Sequence, residues 1–434
     1  MDYAYPPQLA QYLRHAWEAA PGAPPLMDPA NLERVLTVAY QASLLRDEDR
    51  TVRLRIVVAE PDEFDPRRGP PDGLQPLVFD EPVPYTPEEL RRLAVAAKYH
   101  RALVGVSLRL GDGKGGIWGM VQSGPGWIQV AQGGRGPAPS PPPSALVVRV
   151  LGPGRIAAGR ALSTLAELRA GVVGSPGMDL FRSQWVPARF AETRSELALL
   201  HAEARARAEA SGERWADLGP DVIRLVSQAM VRRFLAAMVA AHHGGTVIVL
   251  PPDTGAQLVG YGGPLRLKYA FRDGDPRKRY RGLILGLMRA IARAGGTAGV
   301  ASVDSEAYAA LRDDELASLR DAIFEMSQLI AALTETDGAV VMTKRFELLG
   351  FGAEILGDLP DVHQVARALD LEARDRVAEP LLADGTRHRS AYRLCSRVPE
   401  ALAIVVSQDG GVRFVAMHSG EVTFWDHAVE MLDE

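Results

Sequence analysis

The chain has 434 residues, of which 47% are hydrophobic and 24% charged, and a net charge of −5. That length calls for two or three domains, each with a proper core. A mildly acidic chain has no general attraction for nucleic acid or membrane surfaces, so any polyanion must meet a local basic site.

One cysteine, Cys395, excludes an internal disulfide and a cysteine-rich zinc module, and fits a reducing cytoplasm. The N-terminus, MDYAYPPQLAQYLRH, lacks the charged-then-apolar order of a signal segment. Helical spacing predicts helices over PPQLAQYLRHAW, PANLERVLTVAYQASLL and PEELRRLAVAAKYH. TVRLRIVVAE alternates and then runs apolar as a strand does; ALVGVSLRL, GGIWGMVQSG and GWIQVAQ read as short strands with glycine turns. GDGKGG, from Gly111 to Gly116, lacks the GxxxxGK[ST] spacing of a phosphate loop and reads as a hairpin turn. Residues 1–131 are thus expected to form a mixed α/β domain. The glycines and prolines of AQGGRGPAPSPPPS favour extended chain, making 132–144 a linker.

Beyond it, ALVVRVLGPGRIAAGRALSTLAELRAG predicts strand, turn, strand and short helix, a small segment over 145–175. Residues 176–243 read as a helical connector broken near ASGERWADLGPD. ETRSELALLHAEARARAEA has the composition of a partly exposed helix. VIRLVSQAMVRRFLAAMVAAHH is interrupted by Arg232 and Arg233 and reads as a buried amphipathic helix, not a membrane span. His242 and His243 at its end have no accompanying carboxylate or cysteine pattern and suit a helix C-terminus.

Residues 244–434 open with GGTVIVLPP, a β-branched run set between glycines and prolines that predicts a buried strand. The basic DPRKRYRG reads as a solvated loop ahead of the helix LILGLMRAIARAG. DDELASLRDAIFEMSQLIAALT is an amphipathic helix feeding the strand DGAVVMT, with RFELLGFGAEI as the return of a hairpin. ALAIVVSQDGGVRFVAMHSGEVTFW supplies further strands. Strands and helices mixed in this way specify an α/β fold, a mixed β-sheet flanked by helices.

Two stretches carry chemistry. In DGTRHRSAYRLC, Arg387 and Arg389 offer planar forks that match phosphate oxygens, and His388 between them adds a donor. Thr386, where a helix begins, is expected to cap it and expose its first amides, while Gly385 lets backbone approach a phosphate. In TDGAV, Asp337 lies between helix and strand, where a carboxylate can hold a hard cation or polarise a sugar hydroxyl; Gly338 leaves room for a ribose. Taken singly, each stretch also reads as an ordinary turn. Cys395, beside Leu394 on the helix, reads as packed rather than reactive.

Taken in order, GGTVIV, DGAVV, GTRHRSA and AIVVSQDGG resemble the diadenylate cyclase domain over about Gly244 to Trp425. The resemblance implies that two protomers meet face to face, each holding one ATP, and join them into cyclic di-AMP with Mg²⁺ or Mn²⁺. It assigns Asp337 to the hydroxyl and the metal, and Gly338 and Ala339 to the ribose. Thr386, Arg387, His388, Arg389 and Ser407 fall to the phosphates, and the hairpin from Leu349 to Ile355 to the adenine. It implies neither nucleic acid nor membrane as partner, and a regulatory role for the N-terminal domain.

Two departures stand out. Where many relatives carry a metal-binding glutamate after the serine, this chain has Gln408, with Asp409 one place later. The segments around KYAFRDGDPRKRYRG and LGDLPDVHQVARALDLEARDRVAEPLLA are long for the family. The alternatives are therefore a catalytically weak nucleotide-binding sensor of the same fold, or a synthase of a different dinucleotide.

Overall fold

Proline and capping side chains open the helices of the first unit. Helix α1 (Pro6–Glu18) begins on a proline. In α2 (Pro29–Leu44) the Asp28 carboxylate accepts from Asn31 N at 3.0 Å, and in α3 (Pro87–Ala96) the Thr86 hydroxyl accepts from Glu89 N at 3.3 Å. The computed structural model describes residues 3–19, 24–67, 69, 74–99, 101–110, 115–123, 144–160, 164–174, 177–241, 243–253, 257–260, 262–356, 359, 362–381, 385–408 and 410–429. They divide into two compact units, one running to residue 176 and one over 177–429.

The first unit is built on eight strands: β1 (Leu54–Val58), β2 (Gln75–Pro84), β3 (Ala102–Ser107), β4 (Gly116–Gln122), β5 (Leu146–Gly152), β6 (Arg155–Arg160), β7 (Ala166–Arg169) and β8 (Val172–Gly174). They form one sheet in the order β8-β7-β6-β5-β1-β3-β4-β2. Central β1 pairs parallel with β3 (Ile56↔Val104) and antiparallel with β5 (Ile56↔Val148). The expected separate segment at 145–175 is therefore part of the same sheet, since its strands continue the hydrogen-bond ladder. Its expected short helix is instead the β7–β8 hairpin, where Ala166 and Leu168 alternate inward. The stretch taken as a linker joins two strands of this sheet, β4 and β5; most of it, with GWIQVAQ and the GDGK of the expected hairpin, lies outside the described residues. Strand β2 was not legible because Pro76, Pro82 and Pro84 interrupt it, and it lies at the sheet edge where missing donors are tolerated. Helices α1, α2 and α3 cover one face through Leu9, Leu13, Val35, Leu36 and Leu90.

The second unit contains helices α4 (Ala191–Ala210), α5 (Pro220–Ala241), α6 (Asp275–Thr297), α7 (Asp314–Leu333) and α8 (Thr386–Arg397). Its strands are β9 (Gly245–Leu250), β10 (Leu265–Ala270), β11 (Ala339–Thr343), β12 (Leu348–Ile355), β13 (Gln364–Ala368), β14 (Arg376–Pro380), β15 (Leu402–Val406), β16 (Val412–His418) and β17 (Glu421–His427). The sheet order is β10-β12-β11-β9-β15-β16-β17-β13-β14. Helices α4 to α7 bury one face, with Phe234, Met238, Ile284 and Ile330 against Val247, Val249 and Ile404. Helix α8 covers the other through Ala391, Tyr392 and Cys395.

The mixed α/β fold is as expected, and the long segments resolve into structure. DPRKRYRG is not a solvated loop but the start of α6, with Tyr280 fully buried. The segment before Arg-His-Arg adds the β13–β14 hairpin at the far edge. Residues 176–243 are no mere connector, because α5 packs into the core of the second unit. Arg233 there is 5% exposed and donates to the Arg320 carbonyl at 3.3 Å. Among the described residues no helix is long and apolar enough to cross a membrane.

His427 ends β17 inside this unit, its Nδ1 lying 3.0 Å from the Met178 carbonyl oxygen. Burial pulls its imidazole down to about 4, below the roughly 6.5 of an unfolded chain. Above about 6.5 the ring is neutral in both states. Between about 6.5 and 4 the unfolded chain takes up a proton that the folded ring refuses, so folding weakens as pH falls. Urea denaturation across that window should show a loss approaching about 3 kcal/mol, and His427→Gln should flatten it.

Candidate functional site

The register of three central strands decides what meets at one end of the second sheet. Strand β9 runs parallel to β11, with Thr246 opposite Ala339, and antiparallel to β15, with Gly245 opposite Val406. Gly244 and Asp337 stand two residues before the first pair, just outside the strands and at the same end of the sheet. The antiparallel partner brings Ser407 and Gln408 to the same end. The motifs far apart in sequence therefore share one rim.

Helix α8 brings its N-terminus there as well. A Cβ built on Gly244 would stand 2.9 Å from Arg387 Nη1, 2.9 Å from the Val406 oxygen and 3.1 Å from Gln408 N. Gly244 also has φ +71°, so glycine is what lets the guanidinium lie against the strand. Sequence reasoning saw Gly244 only as the start of a strand. The double glycine before a β-branched run was the available signal.

Several assigned residues differ from expectation. Thr386 is the first helical residue, not the cap; the cap is Gly385, and no side chain caps the helix. The first-turn amides thus have no side-chain acceptor from the cap and point toward the rim. Gly385 has φ −67° and open space where a Cβ would be, so nothing in its backbone requires glycine. Arg387 and Arg389 stand two residues apart on a helix, about 200° round the axis, so they leave from different faces. Arg387 is half-buried against Gly244 and Arg389 is exposed. The ring of His388 lies 6.5 Å from that of Tyr392, which is fully buried.

Asp337 is exposed on the rim. Gly338, beside it, has φ +109°, and a Cβ there would fall 2.6 Å from the Gly352 carbonyl carbon and 2.8 Å from Ala353 N. The space expected for a ribose in that direction is filled by the backbone of β12. Ala339 and Leu349 are also interior, 3% and 6% exposed, packed with Ile248 and Leu394. They hold the hairpin to the sheet rather than facing solvent, while Ile355 is only partly buried against that cluster.

The Ser407 hydroxyl donates to the Gly411 oxygen at 3.1 Å and accepts from Gly411 N at 3.0 Å, closing the turn after β15. Gln408 is exposed, and Asp409 lies outside the described residues. Cys395 is fully buried and its thiol is pushed up to about 12 by burial, as a packed cysteine should be. Among the described residues no three His, Cys, Asp or Glu side chains gather as a metal cage.

Residues 22–122 match the family model described as "Probable sensor domain DACNV". The DACNV match takes in α2, α3 and strands β1 to β4 of the first unit, in keeping with the sensor role expected of the N-terminal region. Strands β5 to β8, which complete the sheet of the first unit, lie beyond the match. No curated protein matches the chain. One solved structure it resembles is described as the hypothetical membrane spanning protein from Bacillus cereus, at 14% identity and a TM-score of 0.24, covering 55% of this chain and 91% of that one.

The packing around Gly338 gives a direct test. Gly338→Ala forces a side chain into β12 backbone from a left-handed conformation. Urea denaturation should record a loss of at least about 1–3 kcal/mol, whereas Gly385→Ala, in open space, should cost little.

Proposed function

We propose that the second unit is a diadenylate cyclase, regulated by the sensor unit, which joins two ATP molecules into cyclic di-AMP and releases two pyrophosphates. The observation that carries this reading is the shared rim: an exposed carboxylate at Asp337 just before β11 and, at the same end of the sheet, the glycine against which the Arg387 guanidinium lies and an α8 N-terminus with no side-chain cap. The association of DACNV sensor domains with diadenylate cyclases supports it independently.

Phosphoryl transfer of this kind asks the protein chiefly for positioning and charge neutralisation. The triphosphate lies across the α8 N-terminus, with Arg387 and the first-turn amides taking its negative charge. His388 adds a donor, and the Ser407 hydroxyl, already engaged by its own turn, contributes through a shared bond. The ribose 3′-hydroxyl of each ATP reaches the α-phosphorus of the ATP held by a second protomer. A new P–O bond forms there, the bond to pyrophosphate breaks, and the hydroxyl proton passes to Asp337. A second, equivalent transfer closes the ring. Because one transfer needs both sites, the active species is a face-to-face homo-oligomer.

Asp337 and the amide oxygen of Gln408 would be the residues to hold a hard cation such as Mg²⁺ or Mn²⁺. When bound, it would neutralise developing phosphate charge. Exposed Gln408 in place of a carboxylate favours one second reading, a unit that binds ATP or the cyclic dinucleotide with little turnover.

Incubation of the purified protein with ATP and Mn²⁺, with products resolved by mass, separates these readings. Cyclic di-AMP with pyrophosphate is expected. ATP binding without pyrophosphate release would favour the sensor reading, and another product a different synthase. Asp337→Asn should abolish synthesis while ATP still binds. Arg387→Ala should weaken ATP binding by about 1.5–3 kcal/mol, and Arg389→Ala by less, since it leaves α8 from another face.

A further inference from the structure

Helices α4 and α5 of the second unit line one cleft with matching stripes. From the N-cap of α4 onward the stripe is Phe190, Thr193, Arg194 and Leu197. On α5 it is Arg224, Ser227, Gln228 and Val231. Both follow the i, i+3, i+4, i+7 spacing that sets side chains on one face of a helix. The cleft has a free volume of about 50 Å³. Judged by the space one buried water needs, it has room for about four waters, or for a chain of about four to six carbons.

The inner wall is apolar. Phe181 and Val186, from the segment before α4, and Phe346, from the turn between β11 and β12, belong to the core of this unit. Phe346 stacks on Phe190 with ring centroids 5.8 Å apart and planes 8° from parallel. It holds φ +61°, a left-handed conformation that a bulky aromatic rarely takes and that turns usually give to glycine or asparagine. Such strain persists where the surroundings hold the side chain in place, and here that ring lines the cleft.

The polar side chains are of two kinds. Thr193 donates to the Lys344 oxygen at 3.1 Å, Ser227 to the Arg224 oxygen at 2.9 Å and Gln228 to the Phe181 oxygen at 3.1 Å, so each is engaged within the protein. Arg194 is half-buried and Arg224 exposed, and among the described residues neither guanidinium has a hydrogen-bond or ion-pair partner. Carboxylates nearby in the chain are committed elsewhere. Glu196 pairs with Arg281 at 2.9 Å and Arg345 at 2.7 Å, and Asp221 accepts from Ser305 N at 2.8 Å.

We propose that this cleft binds a short aliphatic acid, with its chain of about four to six carbons against Phe346 and Leu197 and its head on Arg194 and Arg224. A hydrocarbon wall takes the chain, and the planar guanidinium fork matches a carboxylate or a phosphate. Phe346 follows β11 and Asp337 precedes it, so the cleft and the rim lie at opposite ends of that strand. The site stands whether or not the second unit cyclises ATP.

Isothermal titration of the full-length protein with hexanoate, hexyl phosphate, acetate and 1-hexanol, at matched ionic strength, tests it. One saturating site per chain is expected for hexanoate or hexyl phosphate, the tighter of the two naming the head group. Acetate and 1-hexanol should each bind at least about tenfold more weakly. Arg194→Gln and Arg224→Gln should each raise the Kd of the acid about tenfold and leave that of 1-hexanol unchanged. Val231→Phe, which fills the cleft, should abolish binding of the acid. In Arg387→Ala the acid should bind as in the parent; loss there would place it on α8 and withdraw the site. Binding of 1-hexanol as tight as that of both acids would mark the cleft as the seat of an uncharged apolar group, such as a side chain of a protein partner, and overturn the proposal. So would the absence of saturable binding by both acids, or an unchanged affinity when Arg194→Gln and Arg224→Gln are combined.

Discussion

The second unit depends on the two-sided backbone pairing of β9, a six-residue strand buried along its whole length. Parallel pairing on one side and antiparallel pairing on the other bring the start of β11 and the end of β15 to the same rim. Parallel neighbours need a long crossover, and the helices of that crossover bury one face of the sheet. The other face is left for α8, whose N-terminus then reaches the rim. The Arg387 guanidinium thereby lies against Gly244 at the same end of the sheet where the chain carrying Asp337 enters β11. Shifting β9 by one residue would exchange its two faces and separate them.

Glycine serves this arrangement where backbones come close. At Gly244 the absent side chain admits the Arg387 guanidinium, and at Gly338 it admits the backbone of β12. Both residues also lie at positive φ, where a side chain is strained in any case. The rim is therefore crowded with main chain.

The first unit handles charge differently. Its sheet buries apolar side chains under three helices, yet sets arginines across from each other on the opposite face. A sheet whose second face were merely solvated would carry both signs of charge with its arginines exposed. Here two of them are interior, Arg55 donating to the Ser123 hydroxyl, and Val57 and Val147 on the same face are buried with Trp118.

The sequence by itself determined the mixed α/β class, most of the helices, the buried β9 and the hairpin after Asp337, because apolar period and turn residues are local signals. It also determined which side chains could meet phosphate, since that follows from residue chemistry. Only the tertiary structure decided that residues 145–174 complete the first sheet, that DPRKRYRG is helical, and that Arg387 and Arg389 leave α8 on different faces. It alone decided that Ala339 and Leu349 are interior, and that Arg55 and Arg149 are neighbours. Pairing register and burial are set by contacts between segments remote in the chain, and no local pattern of residues encodes them.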